Sequence, residues 1–295
     1  MRFPRIFLSF ALSLWLVYPV HACPCGCGSS SSVSLYPNES FRLNLGLTNE
    51  FAPVFFDETG TAQDSAGSES IHTLKVSAAT RLLSSLTWAL HAPIKFNRHS
   101  DYDSHASLGD PKAELLWTAY DRDYEHPWIP ELVLKSGLKY PYSISGLDKS
   151  NLSPTEIYGN GFWETSFGAD TYFYISEWTL SASYEQILRN NRTTPENVSV
   201  HPGMIYKTQL GTAYTFISIG QLGMTLSRED RMRDTISTVV DDATRMIRHE
   251  LGFSSTLRVG DRKNIGLAYF LPAPFLPQQN APFYQSIALS YSLTI

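Results

Sequence analysis

The feature that most constrains this chain is a period of two that returns over unusually long stretches. Phe41, Leu43, Leu45 and Leu47 alternate with Arg42, Asn44, Gly46 and Thr48. Leu86, Trp88, Leu90, Ala92, Ile94 and Phe96 alternate with Thr87, Ala89, His91, Pro93, Lys95 and Asn97. Trp178, Leu180, Ala182 and Tyr184 repeat the pattern, as do Ile287, Leu289, Tyr291, Leu293 and Ile295 in YQSIALSYSLTI. Successive side chains of a strand point to opposite faces, so each stretch predicts a strand with one apolar and one polar face. Twelve segments carry it: 39–51, 70–82, 85–97, 106–120, 129–141, 160–174, 177–189, 202–217, 219–229, 248–260, 262–272 and 282–295. They are far longer than the ~5–6 residues of an average soluble strand. They exceed the ~9–11 that a tilted strand needs to cross a bilayer.

The connectors argue the same way. Long ones, such as FAPVFFDETGTAQDSAGSE, NNRTTPENVSV and DRMRDTISTVVDDATRMI, alternate with turns of one or two residues such as Ile175-Ser176 and Asp261. Only DRDYEHPW is longer than the alternation allows. Long external loops and short periplasmic turns are the habit of outer-membrane barrels. An even strand count brings both ends of the chain to one side, and closure leaves no strand edge facing hydrocarbon. The expected fold is all-β: a transmembrane antiparallel up-and-down β-barrel of about 12 strands over residues 39–295. Tyr120, Trp128, Tyr140, Trp163, Tyr174 and Trp178, near strand ends, are expected to form interfacial girdles. In the ninth connector, Met232, Ile236, Val239, Ala243 and Met246 recur at spacings of four and three, which suits a short amphipathic helix over the mouth.

The N-terminus supplies an address. MRFPRIFLSFALSLWLVYPVHA places Arg2 and Arg5 before an apolar core and ends on Val20-His21-Ala22, the pattern of a cleaved secretory signal over residues 1–22. The predicted location is the outer membrane, with its lipid as a partner. The net charge of −5 and the absence of a basic patch argue against nucleic acid. Residues 23–38 then form a periplasmic segment that opens CPCGCG and holds all three cysteines, Cys23, Cys25 and Cys27. Three readings stand there: a lipid anchor on Cys23, a disulfide with one thiol left over, or a soft-cation site. Thiolates select ions such as Cu(I) or Zn²⁺, and only the metal site employs every cysteine.

Three stretches carry a family likeness: SLGDPKAELLWTAY at 107–120, PELVLKSGLKYPYS at 130–143 and GNGFWETSFGADTYFYISEWTLSASYE at 159–185. Together they resemble the outer-membrane transporter-like proteins grouped with the meta-pathway of phenol degradation. Pro141-Tyr142-Ser143 stands where that family has a proline, threonine, glycine corner. The resemblance implies a monomeric barrel that passes small solutes, hydrophobic ones included. It implies no catalytic residues.

If apolar side chains face lipid, the opposite parity lines the interior. That assigns to the lumen Arg42 and Asn44, Lys75, His91 and Lys95, and Lys112 and Glu114. It continues with Lys135 and Lys139, Glu164 and Asp170, Glu185, Lys207 and Gln209, and Arg258. A mid-depth Lys or Arg on the lipid face costs ~2–4 kcal/mol, so the inward assignment is the favourable one. The mixed set reads equally as a polar conduit or as a salt-bridged filling. An enzyme is not expected: Gly-x-Ser-x-Gly is absent, and no nucleophile, base and orienting group stand together in sequence. NRHSDYDSH gathers His99, Asp101, Asp103 and His105, which suits either a divalent ion or an ordinary polar loop.

Overall fold

A computed structural model describes Leu35 and residues 39–57, 59, 61–99, 102–123, 126, 128–145, 159–216, 219–260, 262–273 and 275–295. Among them are seventeen strands. The wall is built from β1 (Phe41–Phe56), β2 (Ala62–Leu83), β3 (Leu86–His99), β4 (Tyr102–Leu108), β5 (Lys112–Tyr120), β6 (Glu131–Lys139), β7 (Glu164–Ile175) and β8 (Trp178–Arg189). It continues through β11 (Ile205–Phe216), β12 (Gly220–Arg231), β15 (Met246–Arg258), β16 (Lys263–Pro272) and β17 (Ala281–Thr294). Four short strands, β9 (Arg192–Thr193), β10 (Ser199–His201), β13 (Asp234–Ile236) and β14 (Val239–Asp241), form a separate sheet from two connectors at one end of the barrel.

Every wall pairing is antiparallel, mostly between strands adjacent in sequence. β1 pairs with β17, which closes the ring with Arg42 opposite Thr294 and Phe56 opposite Ala281. β4 and β5 share one wall position. Both pair with β3, β4 against Ile94–His99 and β5 against Leu86–His91. The closed barrel therefore has twelve wall positions, and all twelve alternating segments form them.

Four details differ from the sequence reading. The segment 106–120 is broken at Gly109-Asp110-Pro111, because Pro111 has no N–H to continue a ladder. The connector 52–69 is largely strand: β1 and β2 run on past a bulge to a turn in which the Asp57 carboxylate accepts from Thr59 N and Thr61 N, each at 2.9 Å. The ninth connector is not helical. It is the hairpin β13–β14 followed by a single 3₁₀ turn, Asp242–Thr244. Ser237 takes a left-handed φ of 58° at its tip, and β-branched Thr235, Ile236, Val239 and Val240 favour paired strands over a helix. Tyr174 does not join a girdle: it shares parity with Glu164 and Asp170, and its hydroxyl donates to Glu131 Oε2 at 2.8 Å.

Outside, the wall is apolar. Leu90 is 41% exposed while its neighbour His91 is 4% exposed, and the alternation repeats on β5, β8 and β16. Aromatic clusters mark both ends of this surface. Tyr140 and Trp163 meet edge-to-face at 4.9 Å near the loop end, and Trp178, Tyr214 and Phe216 form a chain of 5.1 and 4.9 Å contacts near the turn end. β7 and its flank run from Trp163 to Ile175, roughly 40 Å along the strand, or roughly 30 Å after tilt, which matches a hydrocarbon core.

Candidate functional site

Chemistry concentrates inside the barrel, where the register stacks inward-facing side chains into rows. One row runs Asn44, Ser77, His91, Lys112, Lys139, Glu164, Arg189 across seven strands. Another runs Lys135, Gly168, Glu185, Lys207, Glu229, Arg248, with alternating charge. A third runs Thr256, Gly266, Ser290, Gly46, Lys75, Pro93 and is small and uncharged except for Lys75. The lumen is thus two-sided, with a dense charged wall facing a nearly neutral one.

The charged wall is tightly paired. His91 Nε2 meets Glu114 Oε2 at 2.8 Å, and its Nδ1 meets Ser77 Oγ at 2.8 Å. Lys112 Nζ donates to Glu114 Oε1 at 2.7 Å and to Glu185 Oε1 at 2.8 Å. Lys135 Nζ donates to Asp170 at 2.7 Å and to Ser183 at 3.1 Å. Lys139 pairs with Glu164 at 2.8 Å. Lys207 lies 3.3 Å from Glu229, which also faces Arg248 at 3.7 Å. Arg42 pairs with Glu39. A small polar pocket opens against this wall beside Glu185, Lys207, Glu229 and Arg248.

Two glycines make the arrangement possible. A Cβ on Gly137 would stand 2.7 Å from Lys112 Cε and 2.6 Å from Ser166 Oγ. One on Gly168 would stand 2.6 Å from Lys135 Cε and 2.4 Å from the Tyr184 carbonyl. Each lysine stem lies flat over the neighbouring strand because that strand presents no side chain there.

Contacts tie connecting segments to the wall at both ends of the barrel. At the loop end, Asp110 in the strand break accepts from Ser143 N at 3.0 Å and Ser143 Oγ at 2.5 Å, and so holds the segment after β6 against the wall. Arg189 donates to Asp234 at 2.9 Å and to Gly203 O at 2.7 Å, and so ties the small sheet to the rim. At the turn end, Leu35 packs on the paired alanines Ala79 and Ala89 of the inner face, while Arg81 Nε donates to the Glu39 carbonyl at 3.0 Å.

The predicted lumen residues Arg42, Lys75, His91, Lys95, Lys112, Glu114, Lys135, Glu164, Glu185 and Lys207 all lie on the inner parity of the barrel. His91, Lys112, Glu114 and Glu185 come together in one bonded cluster, whereas Lys75 and Lys95 join no ion pair among the described residues. Ser77, Asp110, Glu229, Arg248 and the two glycines escaped the sequence reading. The same parity rule carried to the ends of β12 and β15 reaches Glu229 and Arg248. Cys23, Cys25 and Cys27 lie outside the described residues, as do His99's side chain and Asp101. Asp103 and His105 are exposed, and no group of three metal-ligating side chains occurs among the described residues.

No family model matches the sequence, and no curated protein does. Among solved structures, an outer membrane channel from Pseudomonas putida F1 superposes with a TM-score of 0.75 at 12% identity, over 91% of this chain and all of that one. The chain has the closed antiparallel β-barrel fold of that channel. The NanC porin gives a TM-score of 0.51 at 6% identity, over 85% of this chain and 100% of that one. The translocator domain of the autotransporter NalP from Neisseria meningitidis gives 0.50 at 12%, over 87% and 88%. At these identities the likeness concerns the fold.

Proposed function

We propose that this barrel is an outer-membrane channel, working as a monomer, that passes small solutes, hydrophobic ones included. The observation that carries the reading is the two-sided lumen. A wall that only filled the barrel would pair charge with charge all round, whereas here the row Gly266, Ser290, Gly46, Lys75 and Pro93 carries a single charge, on Lys75. The likeness to an outer membrane channel supports the same reading and favours a non-enzyme. The inner Ser77–His91–Glu114 contacts do not argue for hydrolysis, because Ser77 is only 2% exposed and offers no approach to a substrate. Membership of the phenol meta-pathway group rests on the sequence likeness. Planar-bilayer recording of the purified protein tests the channel: discrete conductance steps are expected, and a silent bilayer containing folded, heat-modifiable protein would overturn it.

The cysteine segment adds a separate proposal, that Cys23, Cys25 and Cys27 bind one soft cation, copper(I) or zinc, near the periplasmic mouth. It rests on thiolate chemistry. Metal stoichiometry of the reduced protein against a triple Cys→Ser variant tests it, and equal uptake or a diacylglyceryl group on Cys23 would refute it.

A further inference from the structure

Interior charges in a barrel are retained when they are paired, since an unpaired buried charge costs several kcal/mol. Glu114, Glu164, Asp170, Glu185 and Glu229 each have a cation within 3.7 Å at most. Lys75 breaks the rule in the other direction. It makes no hydrogen bond or ion pair with a described residue.

The register explains why. Its cross-strand neighbours are Gly46 and Pro93, and neither has a polar side chain. Along β2 the next inward residue is Ser77, whose hydroxyl is engaged by His91. The charges whose fields reach Lys75 are those of Glu114 and Lys112 on β5, Lys207 on β11 and Glu185 on β8. Lys112 already holds both of those carboxylates, and Lys207 holds Glu229. The strand beside Lys75 leaves room at Gly46: a Cβ there would meet nothing nearer than the Lys75 carbonyl at 3.9 Å.

We propose that Lys75 anchors a solute-binding site in the lumen, and that the site takes a small molecule carrying a single carboxylate. The carboxylate meets the ammonium, and the body of the solute lies over the flat floor of Gly46 and Pro93. One negative charge is the fitting number. A second would face Glu114 and Glu185, and like charges at close range are unfavourable. This inference rests on the channel reading only for the solute's access to the lumen.

The test uses the full chain in detergent, with benzoate as probe, benzamide as its neutral counterpart and sulfate as a dianion. Benzoate should raise the unfolding temperature of the wild type and of Lys75→Arg by several degrees, and should leave Lys75→Gln unmoved. Benzamide and sulfate should move none of the three. In bilayers, Lys75→Gln should shift the reversal potential under a salt gradient toward cation preference. Equal benzoate shifts in wild type and Lys75→Gln, or no shift in wild type, would overturn the site. A conducting protein without the Lys75-dependent benzoate effect keeps the channel and loses the site. A silent protein that shows the effect keeps the site and loses the channel.

Discussion

Lys112 on β5 donates to Glu185 on β8 at 2.8 Å, across the two strands that separate them in the wall. The same ammonium holds Glu114 at 2.7 Å, so one cation serves two buried carboxylates. Lys112→Met should therefore lower the unfolding free energy by about 1–3 kcal/mol, the cost of leaving a buried acceptor unmet. Adding Glu185→Gln to that variant should recover part of the loss. Urea titrations of the single and double variants read both effects, and strictly additive losses would contradict the link.

The two glycines should differ in tolerance. At Gly168 a methyl meets the Tyr184 backbone carbonyl at 2.4 Å, which cannot swing away. At Gly137 it meets the far end of Lys112 and the Ser166 hydroxyl, which can. Gly168→Ala should cost about 1–3 kcal/mol as overpacking, and Gly137→Ala less. The order of the two urea midpoints decides it.

Neighbouring residues of β3 should respond oppositely to charge. Leu90→Arg places a cation against lipid at ~2–4 kcal/mol if mid-membrane and should reduce the heat-modifiable fraction after assembly. His91→Gln keeps the inner face polar and should assemble normally. Equal assembly defects would show the faces to be reversed.

The aromatic clusters predict depth. A variant that retains only Trp163 and one that retains only Trp178 should both be quenched best by lipids brominated near the headgroup. Their accessibility to an aqueous quencher should be high from opposite sides of sealed vesicles. Strongest quenching by deeply brominated lipid would displace the girdle assignment.

Arg189 should act as the tie of the outer sheet. Arg189→Ala removes the donor to Asp234 and to the Gly203 carbonyl. Faster amide exchange is expected over residues 199–201 and 234–241, with the wall strands unchanged. Uniform acceleration would mean that the variant weakens the barrel itself.

The wall was legible because alternation reports facing directly, one residue at a time, and Leu90 against His91 is the plainest case. What each inner side chain touches was not. Ser77 and His91 meet because a tight turn sets their strands in register, and Lys112 meets Glu185 only after three pairings fix their relative heights. Gly137 and Gly168 carry no pattern of their own; their role appears once a lysine lies across them. In the ninth connector, spacings of four and three were a coincidence of β-branched residues that pair as a hairpin. Tyr174 lies near a strand end, as a girdle residue would, but its parity turns it inward to Glu131.

The seam between β1 and β17 carries a consequence for biogenesis. Ser40 Oγ donates to the Ile295 carbonyl at 3.0 Å, between residues 255 positions apart, while the other wall seams join strands close in sequence. Hairpins can zip locally, but this contact confers nothing until every intervening hairpin is in line. Loop closure over such a span is entropically slow, and contacts of this separation set the pace of folding. Until then β1 and β17 each present an open edge that hydrocarbon cannot satisfy. Ring closure should accordingly be the last and rate-limiting event of assembly, and the stage at which the half-made protein most depends on a machine that can shelter a bare edge.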